Sequence, residues 1–276
     1  MSEPLLDSPM RIGCVSFLNA RPLIEGLDDD PAVDVRYAVP SALLARLEDG
    51  AVDVALCPVI DYQRSTAALT IVPAGGIGCD GPTLTVRLFS RVPWEQVDAL
   101  AADTDSHTSI ALAQVVLAER YGVRPRIVPR PTTTDDQPQT LLLIGDKVVT
   151  AEPSPQAYPH QLDLGEAWAA MTGRPFVFAV WMARADADAR RVRAAATLLD
   201  ACRRRNTQPD AIARIADQQG PAHGWPTDLA RRYLGGLLRY ETTERQLQAI
   251  DHFWQACRRI GLLDRPRPLD VLGCGG

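Results

Sequence analysis

Short apolar runs alternate with amphipathic stretches along the first two thirds of the chain. Ile12 to Val15 reads as a buried strand that breaks into Ser16-Phe17-Leu18-Asn19-Ala20-Arg21-Pro22-Leu23, where Pro22 suits the first turn of a helix. Val33 to Val39 is a second strand, and Pro40-Ser41 starts a helix whose Leu43, Leu44 and Leu47 share a face before Gly50 ends it. Val52 to Leu56 is a third strand, stopped by Pro58. Ile71 to Pro73 and Leu84 to Phe89 follow, separated by the turn-rich stretch Gly75 to Pro82. This βαβαβ order predicts a mainly parallel sheet covered by helices on both faces.

The middle of the chain repeats the logic. Ala99 to Ala102 is a strand, Asp103 to Ser109 a polar loop, and Ile110, Leu112, Val115, Val116, Leu117 and Tyr121 mark a helix. Ile127 to Pro129 is short, Pro129 to Pro138 is a surface loop, and Leu141 to Ile144 runs into a helix start at Gly145-Asp146. Phe176 to Trp181 is the last strand. From Asp186 the pattern is helical, with one stripe at Ala194, Leu198, Leu199 and Cys202 and another at Leu247, Ile250, Trp254, Cys257 and Gly261. The expected architecture is α/β and two-lobed, with an interlobe cleft and C-terminal helices packing on the first lobe. Residues 11–90 plus 182–270 form the first lobe, 91–181 the second, and 1–10 and 271–276 are tails.

A length of 276 residues with 46% hydrophobic composition agrees with two domains. The formal net charge of -5 supplies no basic field for nucleic acid. Met1 to Met10, carrying Glu3 and Asp7, lacks the features of a signal peptide, and no stretch is apolar enough to span a bilayer; a cytoplasmic protein, monomer or homodimer, is expected. The six cysteines are scattered without metal-ligand spacing, which favours reduced core residues for most of them. Arg190, Arg191, Arg193 and Arg203 to Arg205 read as solvated helix faces.

Three motifs fail on context. Gly76-Ile77-Gly78-Cys79-Asp80-Gly81 matches G-x-G-x-x-G, yet Pro82 and a strand follow it instead of the helix that would meet a pyrophosphate. Asp103-x-Asp105-x-His107 mixes ligand types without a fourth partner, and His107 beside Ser106 and Ser109 has no nucleophile elbow. What remains is a set of small polar groups at strand ends and helix starts: Ser16 with Asn19, Ser41, Thr83 with Thr85, Ser106 with Thr108 and Ser109, and Gly145 with Asp146. Each alone is compatible with helix capping. Together, on two facing lobes, they describe a cleft for a small anionic molecule that needs neither metal nor organic cofactor.

The blocks SFLNARPL, VPSALLARLEDGAVDVALCPVIDY, GPTLTVRLFS, LAADTDSHTS, LLLIGD, LDLGEAW and TGRPFVFAVW, in this order from Arg11 to about Trp181, resemble the chorismate dehydratases of the futalosine route to menaquinone. The resemblance implies a type 2 periplasmic-binding-protein fold used as a cytosolic enzyme. It also implies a hydro-lyase reaction, in which chorismate loses water to give 3-[(1-carboxyvinyl)oxy]benzoate. Asn19 and Thr85 would then bracket the reacting ring, and Ser41, Thr108 and Ser109 would hold the dianion. Ser16, Pro58, Thr83, Ser106, Gly145 and Asp146 complete the expected binding set. In the family the base is the substrate's own carboxylate. Leu84 and Thr85 stand where the family usually has arginine and serine, and His107 where arginine or serine is common. A non-catalytic cytosolic binding protein for a small aromatic or carboxylic acid is the rival class. The related dihydroxynaphthoate synthases begin with an S-P-C-P-N-D-T block that this chain lacks.

Overall fold

A computed structural model describes residues 8–103, 106–131 and 137–273. Its strands are β1 (Met10–Cys14), β2 (Val33–Tyr37), β3 (Val54–Pro58), β4 (Leu69–Cys79), β5 (Val86–Ser90) and β6 (Ala99–Ala102), then β7 (Arg126–Pro129), β8 (Thr140–Ile144), β9 (His160–Asp163), β10 (Phe176–Arg184) and β11 (Leu238–Arg239). They form two sheets, one in the order β11-β4-β10-β3-β1-β2 and one in the order β7-β6-β8-β5-β9.

Neither sheet is mainly parallel, contrary to expectation. β1 pairs in parallel with β2 and β3, but β10 is antiparallel to both β3 and β4, and β11 is antiparallel to β4. The second sheet likewise combines parallel β6 pairs with antiparallel β5 pairs. The cause is topological: the chain leaves the first sheet after β4, builds the second, and returns through β10 in the opposite direction. The changeovers fall between Cys79 and Val86 and again ahead of Phe176, whereas boundaries at 90/91 and 181/182 were expected. Ordered chain also enters both expected tails, since β1 begins at Met10 and Val271 bridges Ile71.

The stretch read as turn-rich is the second half of β4. Gly76 and Gly78 belong to a strand because the β10 backbone comes too close for a side chain: a Cβ would lie 2.5 Å from the Ala179 carbonyl at Gly76 and 2.6 Å from that of Phe176 at Gly78. The G-x-G-x-x-G match is therefore a packing device. β9 and the helix Leu164–Thr172 were not anticipated, and the helix His107–Tyr121 begins before Ile110, drawing Thr108 and Ser109 into its first turn. Asp105, part of Pro129 to Pro138, and Cys274 lie outside the described residues.

The C-terminal helices bury somewhat different stripes from those expected. In Ala189–Asn206 the inward residues are Val192, Ala195, Leu199, Cys202 and Asn206, with Ala194 and Leu198 at the edge. In Glu244–Arg259 they include Ile250, Phe253, Trp254 and Cys257; Gly261 lies beyond the helix end. Trp254 stacks on Tyr62 at 5.0 Å and donates to the Val59 carbonyl at 3.1 Å, which fastens this helix over the first sheet. Several arginines expected on solvated faces have defined partners: Arg191 and Arg11 both bind Asp53, Arg203 pairs with Asp200, and Arg205 donates to the Glu25 carbonyl.

Candidate active site

The carboxyl end of β1, the end of β3, the start of β5, the end of β8 and the first turn of the helix His107–Tyr121 converge on a cleft. Its polar lining comes from Asn19, Thr83, Thr85, Ser106, Thr108, Ser109 and Tyr233, and its apolar walls include Phe17, Leu56, Ile77, Ile144 and Phe178. Pro58 and Gly145 also line it.

The first polar pair separates cleanly. Ser16 is exposed and does not line the cleft, whereas Asn19 does. No side-chain cap bond is made at the turn Leu18–Ala20 or at the helix Arg21–Ile24, so neither residue acts as a cap. The Asn19 Oδ1 is buried without a hydrogen-bond partner among the described residues, leaving an amide acceptor for whatever fills the space.

Thr85 is buried, and its Oγ1 lies 2.7 Å from the Tyr233 Oη. The two residues ahead of it are held by Asp163. That carboxylate accepts from the Thr83 and Leu84 N–H groups, at 3.0 and 2.7 Å, while also capping the helix Leu164–Thr172 through Gly165 and Glu166. Leu84 sits at φ +66°, the only left-handed non-glycine residue among those described. A Cβ at Gly165 would fall 2.5 Å from the Gly81 carbonyl, so glycine lets this helix press against the same crossover.

At the helix His107–Tyr121, Ser106 makes no side-chain cap bond, which leaves first-turn N–H groups uncapped beside the hydroxyls of Ser106, Thr108 and Ser109. Thr108 Oγ1 accepts from the Ile60 N–H at 3.4 Å. His107 is not in the lining: its Nδ1 is 2.7 Å from Oδ1 of the fully buried Asp61.

Besides Ser16, two expected ligands lie elsewhere. Ser41 is in the first turn of the helix Pro40–Glu48, and Pro40 faces the cleft in its place. Asp146 is occupied by the protein itself, because its Oδ1 accepts from Trp225 Nε1 at 2.8 Å and its Oδ2 lies 3.0 Å from His223 Nδ1. Trp225 in turn stacks on Tyr233, with ring centroids 4.7 Å apart and planes inclined by 19°. Asp146 thus supports the wall of the cleft from behind.

Tyr233 is the functional candidate that sequence reading missed. It opens a π-helical turn, Tyr233–Leu237, a distortion that often marks functional sites. Its only sequence signal is the following Gly235-Gly236 in an otherwise helical tail. Burial pushes its hydroxyl well above the ordinary phenol range, more than the Thr85 and Asn19 side chains lower it, so it stays protonated. Among the described residues no Asp, Glu, His, Lys or Arg is part of the lining. The arrangement can hold carboxylates with hydroxyls and a helix N-terminus, and can orient a ring between an amide and a hydroxyl.

Comparison with known proteins places this geometry. The chorismate dehydratase of Thermus thermophilus is 30% identical over 192 residues, covering 64% of this chain and 70% of that protein. Among solved structures, a protein from Archaeoglobus fulgidus superimposes with TM-score 0.68 at 13% identity over 92% of this chain and 98% of its own. The alkanesulfonate-binding protein of Xanthomonas axonopodis, bound to MOPS, gives 0.64 at 16% identity over 99% and 97%. A Candida albicans protein with the generic periplasmic binding protein fold gives 0.59 at 9% identity over 97% and 98%. These likenesses establish a periplasmic-binding-protein fold. Residues 10–259 match the family described as menaquinone biosynthesis, and the chain belongs to that family.

Proposed function

We propose that the protein is a hydro-lyase that removes water from chorismate, giving 3-[(1-carboxyvinyl)oxy]benzoate. One observation carries the reading: among the described residues the cleft is lined by hydroxyls, an amide and a helix N-terminus that Ser106 does not cap, with no ordinary side-chain base. A reaction driven by aromatisation asks chiefly for orientation, so such a site suffices. The Thermus thermophilus relative carries the same activity in its name.

In this reading Ser106, Thr108, Ser109 and the open first-turn N–H groups hold the substrate carboxylates. Asn19 and Thr85 bracket the ring from the two sheets. The proton on the carbon bearing the enolpyruvyl ether passes to the substrate's own carboxylate, the neighbouring hydroxyl departs with a proton as water, and the ring becomes aromatic. Phe17, Leu56 and Phe178 limit the water that could divert the elimination.

The test is to incubate the purified protein with chorismate and follow loss of the diene absorbance together with a product one water lighter. Formation of that product is expected. Chorismate left unchanged overturns the proposal, and tight binding without turnover assigns the protein to the binding class.

A further inference from the structure

We infer that Tyr233 is a positioning residue that sets the direction in which the Thr85 hydroxyl donates, turning its proton into the cleft. The inference rests on the chorismate reading and adds to it a residue on the C-terminal turn.

The contact between Thr85 Oγ1 and Tyr233 Oη, at 2.7 Å, is between two hydroxyls, either of which could donate. The surroundings select the direction. Tyr233 is buried, and two side chains meet its phenol: Thr85 Oγ1 at 2.7 Å, and Asn19, whose Oδ1 is without a partner, so that Asn19 reaches it through its amide N–H and leaves Thr85 Oγ1 as the acceptor. A buried hydroxyl proton without an acceptor is penalised. Tyr233 therefore donates, and Thr85 accepts. The hydroxyl of Thr85 has one proton, which is then free for the cleft that Thr85 lines.

The same environment rules out a proton shuttle through the phenol. Burial holds Tyr233 neutral, so passing its proton to Thr85 would leave a phenolate in an apolar wall. Tyr233 consequently acts by orientation alone. The cleft presents the Thr85 hydroxyl as a fixed donor and Asn19 Oδ1 as an open acceptor, both side chains meeting at Tyr233. A substrate carrying a departing hydroxyl near a ring proton matches that polarity. Trp225 stacked on the Tyr233 ring and itself anchored on Asp146 keeps the phenol from swinging away.

The test is a kinetic double-mutant cycle with Tyr233→Phe, Thr85→Val and the pair, each confirmed as folded by circular dichroism. Tyr233→Phe is expected to lower kcat about tenfold, the worth of one oriented hydrogen bond, and to leave KM within about twofold. On the Thr85→Val background the same change should have no further effect on kcat, because its route of action is gone. If Tyr233→Phe does not fold, Tyr233→Met removes the hydroxyl with a smaller, flexible side chain and should show the same dependence on Thr85. An active wild type in which the two changes multiply, or in which Tyr233→Phe leaves kcat intact, overturns the inference while the chorismate reading stands. A wild type inactive on chorismate overturns both.

Discussion

Trp225 donates its indole N–H to Asp146 across 2.8 Å, linking a C-terminal turn on the first sheet's side to the turn that follows β8 of the second sheet. His223 reaches the same carboxylate, and Gly224 between them lies against Thr150, where a Cβ would come to 3.0 Å. The two halves of the cleft are thus tied behind Tyr233. Asp146→Ala should lower stability by about 1–3 kcal/mol, since it strands a buried indole donor, and should lower kcat on chorismate several-fold by loosening Tyr233. Urea unfolding with steady-state kinetics checks both; an unchanged kcat would separate the tie from the site.

Asn19 makes no cap bond, so its removal should spare the fold. Asn19→Ala is expected to reduce kcat by about tenfold or more while Tm stays within about 2 °C. Thr85→Ser keeps the hydroxyl and sheds a methyl that stiffens χ1, so its turnover should equal or exceed that of the wild type. A large Tm loss in Asn19→Ala with normal activity per folded molecule would return Asn19 to a structural role.

Asp163 accepts from four backbone N–H groups, on both the crossover and a helix start. Asp163→Ala leaves all four short of a partner, and unfolding free energy should fall by about 2–4 kcal/mol. Asp163→Asn retains one acceptor oxygen and should lose about half of that. A loss below about 1 kcal/mol for the alanine variant would contradict this account of how Leu84 is held.

The ion triplet away from the cleft governs acid sensitivity. Burial of Asp53 opposes its ionisation, but hydrogen bonds from Arg11 and Arg191 outweigh that and bring its pKa from 3.8 down to about 2. A carboxylate with a depressed folded-state pKa stabilises fully above its unfolded value and loses that contribution as pH falls toward the folded one. Stability should therefore drop by about 1–2 kcal/mol between roughly pH 4 and pH 2, and Asp53→Asn should flatten that segment of the curve. Chemical denaturation across this range is the measurement.

The thiols should be silent. Cys14, Cys57, Cys79, Cys202 and Cys257 are buried and free, and burial raises Cys14, Cys79 and Cys257 to about 12 and Cys202 to about 11. A thiol reagent at pH 8 should label none of these five until denaturant is added. Fast labelling of any one in the native state would refute its placement.

The strands carried by short apolar runs, such as Ala99–Ala102 and β8, were legible because their pattern is local. The length of β4 was not, since Gly76 and Gly78 read as turn residues until the carbonyls of β10 explain them. The same limit applies to the site. Asn19 and Thr85 could be picked from strand-end context, but Tyr233 reaches Thr85 across 148 positions and nothing near it in sequence announces the meeting. Asp146 misled for the converse reason: it stands at a helix start, as a ligand would, yet its oxygens are taken by Trp225, 79 residues on, and by His223.

The position of β10 also constrains how the chain assembles. β10 lies between β3 and β4, which do not pair with each other, so the first sheet cannot close until residue 176 and beyond have been made. All five strands of the second sheet lie within the uninterrupted stretch 86–163. That sheet can form on a growing chain while β1 to β4 still wait, and the long-range insertion of β10 becomes the slow event. Substitutions at its buried Val180 or Trp181 should accordingly slow refolding, a behaviour no reading of the cleft would foresee.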